Sequence, residues 1–80
     1  VAKQEKYSVY IYNDQNTFQH VTMCLEMLLG FNTFQAEQVA IIVHNNGKYP
    51  IFTSKDFEEV ETVYEALVKQ GITARINTVN

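Results

Sequence analysis

His20 and Cys24 lie one helical turn apart, a spacing that permits a thiolate–imidazole pair. Nucleophilic catalysis of that kind also needs a group to orient the base and a cleft for the substrate. No orienting residue is apparent, and a lone Cys within an apolar helix reads as a small core residue. Zinc needs three or four well-placed ligands, and one Cys with two His at scattered spacing does not supply them. The three glycines form no phosphate-binding loop. The chain is therefore read as neither an enzyme nor a metal protein, and no cofactor is expected. Three polar residues remain to be placed. Asn13 and Asp14 end a strongly apolar stretch, where turn formation is the plain explanation. His44 follows Ala40 by one turn, where packing or capping at a helix C-terminus is the plain explanation.

The bulk composition bounds what these residues can serve. Eighty residues make one domain with a real core and no room for a second. Hydrophobic residues form 46% and charged residues 19% of the chain, a balance that folds rather than staying disordered. A net charge of −3 with six Lys and Arg argues against a phosphate-binding surface, so no nucleic acid partner is expected. No apolar run approaches the ~20 residues needed to cross a bilayer, so no membrane partner is expected. Val1 in place of Met suggests a trimmed chain. The single Cys24 allows no internal disulfide, and a reducing, cytoplasmic setting is the simpler reading.

Elements that could position the three residues follow from periodicity. Residues 1–6 are polar and expected to fray, leaving 7–80 as the domain. Residues 7–12, YSVYIY, alternate as a strand, with Tyr7, Val9 and Ile11 on one face. Phe18, Val21, Leu25, Leu28 and Leu29 make the apolar stripe of a first helix, which Gly30 ends. Ala36, Val39, Ala40 and Val43 mark the buried face of a second helix, closed by Asn46-Gly47. Residues 49–53, YPIFT, read as a short strand, which Pro50 confines to an edge or a bulge. Ser54 is expected to cap a third helix with the stripe Phe57, Val60, Tyr64, Leu67 and Val68, and Gly71 to stop it. Residues 72–79 alternate weakly as a last strand. The fold class is α+β, a β-α-α-β-α-β two-layer sandwich in which three helices cover one face of a three-stranded sheet. The tetrapeptide Asn16-Thr17-Phe18-Gln19 recurs as Asn32-Thr33-Phe34-Gln35. Asn or Thr can accept from the first free amides of a helix and Gln can answer back, so both copies read as helix starts.

Three stretches, YSVYIYNDQNTFQHVTMCLEMLLGF, AIIVHNNGK and IFTSKDFEEVETV, resemble the ClpS family. These are the adaptors that hand N-end-rule substrates to a Clp AAA+ unfoldase. The resemblance runs from about Tyr7 to Val79. It rests most on the strand ending in Asn13-Asp14, the nearby Thr17, and Val43-His44 followed by Gly47-Lys48. What it implies is a monomeric adaptor that binds the free N-terminus of substrates with a bulky apolar first residue and docks on a ClpA- or ClpC-type unfoldase. Asn13, Asp14 and His44 would surround the substrate α-amino group. A protonated amine only donates, so a carboxylate, an amide oxygen and an unprotonated imidazole nitrogen suit it. Thr17, Phe18, Val21, Ala40 and Val43 would line the pocket for the first side chain. Phe18 stands at the gate and Ala40 on the floor, where the family commonly has Met. Gln15 replaces an Asp of the family, and the usual Pro after the Thr is missing. Lys55 and Val60 occupy the places of a Glu and a Lys used for docking, with Glu58 between them. The alternative is a ClpS-like interaction module with another partner and no N-terminal recognition, since fold alone cannot choose between functions.

Overall fold

The computed structural model describes residues 5–79 as β1 (Lys6–Tyr12), α1 (Phe18–Leu29), α2 (Thr33–Asn46), β2 (Lys48–Ser54), α3 (Phe57–Lys69) and β3 (Ala74–Val79). The sheet order is β2-β1-β3 with both pairings antiparallel, so β1 is the central strand. Central position and period-2 alternation together put Val9 and Ile11 wholly inside the core. Lys6 pairs with Val79, so one residue of the segment expected to fray belongs to the sheet; residues 1–4 lie outside the described residues.

Pro50 satisfies both conditions that its missing N–H imposes. It lies on an edge strand, and the register steps from Val9↔Phe52 to Tyr10↔Pro50, which leaves Ile51 as the extra residue of a bulge. The helices lie on the Val9–Ile11 face: α2 and α3 pack on the sheet, and α1 packs against both of them. Ile11, Leu25, Leu67, Val9 and Val60 are the largest fully buried side chains. Each contributes about 1.5–3 kcal/mol by leaving water.

In α2 the four residues expected inside, Ala36, Val39, Ala40 and Val43, are all buried. The other two stripes are narrower than the spacing suggested. In α1, Leu25 is buried with Cys24 and Thr22, whose hydroxyl donates to Gln19 O at 2.9 Å, while Phe18 and Leu28 reach solvent. In α3, Val60 and Leu67 are buried, and Phe57 and Val68 lie exposed at the margins. Phe57 still packs edge-on against Tyr7, centroids 5.1 Å apart.

Capping also differs between the two copies of the repeat. Asn32 makes a complete capping box with Gln35 at the start of α2. At α1 the cap is Thr17, whose Oγ1 accepts from His20 N at 3.1 Å, and Asn16 is released for other work. The cap of α3 is Asp56, which accepts from Glu58 N at 3.0 Å. Ser54 instead ends β2 and accepts from Asp56 N at 3.1 Å, bracing the cap rather than being it.

Candidate functional site

Two chain reversals bring the three leftover polar residues together. Gly47 ends α2 in the left-handed region (φ 94°), a conformation that costs glycine no side-chain clash. Its carbonyl then accepts from Asn13 N at 2.8 Å, which joins the end of β1 to the end of α2. His44, in the last turn of α2, thereby faces the Asn13–Asp14 turn across one cavity.

The second reversal is the end of α3. Gly71 N donates to Val68 O at 2.9 Å and Ile72 N to Leu67 O at 3.1 Å, the paired bonds of a Schellman motif. Ile72 is held inside the core by this turn, which is why β3 begins at Ala74 rather than at the expected residue 72. Thr73 then faces β1 twice. Its carbonyl accepts from Tyr12 N at 2.9 Å, and its N–H donates to Asp14 Oδ2 at 2.9 Å.

Asp14 is the most heavily bonded side chain of the site. Oδ1 accepts from Asn16 N and Asn16 Nδ2, and Oδ2 accepts from Asn16 Nδ2 and Thr73 N, each at 2.9 Å. Burial by itself pushes this carboxyl up. The bonds from Asn16 and Thr73 outweigh it and hold the group below its ordinary value. A carboxylate has about four lone-pair sites, and here both oxygens are engaged by three N–H groups, one of them shared between the two. Asp14 therefore presents a fixed negative charge. No described residue bonds the Asn13 side chain or the His44 ring, so these two are the open acceptors.

The cavity between these residues holds about 430 Å³, within the range of ~300–1,000 Å³ usual for small-ligand clefts. Tyr12, Asn13, Asp14, Asn16 and His44 form its polar part, and Phe18, Val21, Ala40 and Val43 its apolar wall. Of the residues expected at a binding site, Thr17 is not on the wall, and its hydroxyl serves as the α1 cap. Tyr12 and Asn16 are on the wall without having been expected. Tyr12 could have been found as the last residue of a strand that points at the site; Asn16 was hidden by its place in the repeat.

The docking set needs one correction. Lys55 and Glu58 are exposed at the start of α3, but Val60 is 0% exposed and packs within the core. A residue with no surface cannot meet a partner, so Val60 does not stand where a docking contact would be. The thiolate–imidazole pair is also settled by geometry. His20 Nε2 lies 2.7 Å from Gln70 O and 3.7 Å from Cys24 Sγ. A carbonyl only accepts, so Nε2 carries the proton and cannot take one from the thiol. Burial pushes the Cys24 thiol up, further from a thiolate. His20 instead fastens α1 to the end of α3. Among the described residues no group of His, Cys, Asp and Glu could hold a metal ion, and no helix is long and apolar enough to cross a membrane.

Residues 2–75 match the family model of the ATP-dependent Clp protease adaptor protein ClpS. The chain belongs to the ClpS family. ClpS proteins are adaptors of the Clp protease and not enzymes. Among solved structures, Agrobacterium tumefaciens ClpS2 bound to L-phenylalaninamide is similar, with a TM-score of 0.84 and 18% identity over 96% of this chain and 100% of that one. At that identity the likeness establishes the ClpS fold. No curated protein matches the chain.

Proposed function

We propose that this domain binds the free N-terminus of a polypeptide whose first residue is bulky and apolar, and delivers it to a Clp AAA+ unfoldase. The observation that carries the reading is one cavity with two unlike halves: open acceptors and a fixed negative charge at one side, an apolar wall at the other. A protonated α-amine needs acceptors and negative charge, and capture of an N-terminal amine is an established recognition mode. Asn13 and His44 accept the amine hydrogens, Asp14 supplies charge, and Phe18, Val21, Ala40 and Val43 take the first side chain. The ligand of the Agrobacterium ClpS2 structure, L-phenylalaninamide, carries the same two features, a free amine and an apolar ring. Lys55 and Glu58, exposed on the first turn of α3 and just before it, are our candidates for unfoldase docking. A cytoplasmic setting, where Cys24 stays reduced, fits this role.

Fluorescence titration with peptides that begin with Phe, Tyr, Trp or Leu tests the proposal. Free-amine peptides are expected to bind and their N-acetylated forms to lose at least a decade of affinity, since acetylation removes both the charge and two donors. Equal binding of the two forms would leave an interaction module without N-terminal recognition.

Ala40 sets the size of the first-residue pocket. It is buried and lines the cavity, with no side chain beyond Cβ to fill space. Ala40→Met fills part of that volume, and crowding a formed site costs about 1–3 kcal/mol for the occupant that no longer fits. The expected result is a loss for Trp and Phe peptides and little loss for Leu, so the Phe-to-Leu affinity ratio falls at least about fivefold. A uniform shift of all three peptides would show that Ala40 does not touch the first side chain.

A further inference from the structure

Asn16 opens the repeated Asn-Thr-Phe-Gln, yet it caps no helix. Its Nδ2 lies 2.9 Å from each oxygen of Asp14 and 2.8 Å from Gly71 O. All three oxygens only accept, so chemistry alone requires the amide nitrogen to face them. One N–H serves Gly71 and the other is shared across the carboxylate. The Gly71 carbonyl is not a loose anchor. It belongs to the turn that ends α3, at φ 82°, with its own N–H and that of Ile72 bonded back to the helix. Asn16 thus connects a carboxylate at the cavity mouth to a fixed point contributed by the far end of the chain.

We propose that Asn16 is a positioning residue of the amine site, tethering the Asp14 carboxylate to Gly71 so that its charge is held in one orientation at the cavity mouth. The role rests on the N-terminal recognition proposed above. Without the tether the Asn16 backbone N–H still holds Oδ1 and the Thr73 N–H Oδ2, but nothing joins the carboxylate to Gly71, and the side chain regains part of the rotamer freedom that binding must then remove. The other titratable groups at this mouth are Tyr12 and His44 on the cavity wall. His20 bonds Gln70 O, one residue before Gly71. Among the described residues no lysine, arginine or second carboxylate lines the cavity.

The experiment has two arms. In the first, the Asp14 carboxyl carbon is followed by NMR through an acid titration of the peptide-free protein. Asn16→Ala removes the shared donor and is expected to raise the Asp14 midpoint; Asn16→Asp, which sets a second carboxylate there, is expected to raise it further. The amide spectrum of β1 and α2 serves as the check that each variant is folded, with Asn16→Ser as a milder replacement. In the second arm, a Phe-initiated peptide is titrated into each protein. Both variants are expected to bind about tenfold more weakly, with the Phe-to-Leu ratio unchanged because the apolar wall is untouched. Wild-type affinity in Asn16→Ala would overturn the tether. So would tighter binding by Asn16→Asp than by Asn16→Ala, since affinity would then follow net charge rather than orientation. A wild-type protein that binds no free-amine peptide sinks N-terminal recognition itself, and the role of Asn16 in binding with it. An Asp14 midpoint unmoved by Asn16→Ala, when the wild-type protein does bind, removes the tether alone.

Discussion

Lysine in place of Val60 is expected to unfold much of the protein rather than create a docking contact. Val60 is fully buried on the inner face of α3, in one cluster with Val9, Leu25 and Leu67. An ammonium group there would lose its hydration with no carboxylate among the cluster residues to answer it. Uncompensated buried charges cost about 3–5 kcal/mol. A domain of this size has a total stability of roughly 4–12 kcal/mol, so the substitution removes a large share of it. Urea denaturation measures the effect as a fall in midpoint at constant slope. Glu61→Lys, on the neighbouring exposed position beyond the first turn, is the control and should stay within about 0.5 kcal/mol of wild type. An unchanged midpoint for Val60→Lys would mean that α3 is rotated and Val60 faces water.

Asp14→Ala should weaken free-amine peptides by about one to two decades, or ~1.5–3 kcal/mol, through loss of the charge at the cavity mouth. It should also destabilise the free protein, because Thr73 N and the Asn16 amide lose their acceptor. Orphaned donors of this kind cost about 1–3 kcal/mol where water cannot replace the partner, and partial exposure places Asp14 toward the low end. The pH dependence has a definite sign. The folded carboxyl lies below its ordinary value of ~3.9, so its stabilising contribution is complete above that value and disappears as pH falls through the lower, folded one. The stability gap between wild type and Asp14→Ala should therefore be constant near neutrality and close in acid. A gap that widened on acidification would contradict the assignment. Peptide affinity should also fall above about pH 8, where the peptide's own α-amine loses its proton.

Burial on a strictly repeating face was readable in advance. Val9 and Ile11 on the central strand, and Ala36, Val39, Ala40 and Val43 on α2, are inside because alternation and helical period leave them no other face. The stripe edges were not readable, since Phe57 and Val68 satisfy the same spacing as Val60 and Leu67 while packing at the rim. Local capping chemistry was legible in kind but not in place: Ser54 and Asp56 can both cap, and only the point where β2 releases the chain decides between them. At the site, Asn13 and Asp14 read locally as a turn and His44 as a packed or capping residue, and only the resemblance to ClpS implied a shared role; Asp14 does make the local turn bond, from Asn16 N. Asn16 did not stand out, because a repeated motif suggested a repeated role. Its partner Gly71 lies at the other end of the chain, and no local pattern joins two such residues. The family pattern set Val60 at a docking position while the apolar stripe of the same helix set it inside, and the fold follows the stripe.

Every residue on the cavity wall comes from the segment between Tyr12 and His44, whereas the bonds that orient the amine end reach it from Gly71 and Thr73. In the N-terminal recognition we propose, the residues that choose the first side chain and those that meet the amine share one stretch, but the amine end is oriented from a distant part of the chain. Transplanting the N-terminal segment into another ClpS scaffold would carry the side-chain preference with it. It would carry the grip only if the recipient's last helix ends on a turn of the same shape. The side-chain half of the site can diversify by substitution within one stretch, while the amine half is constrained by how a distant helix stops.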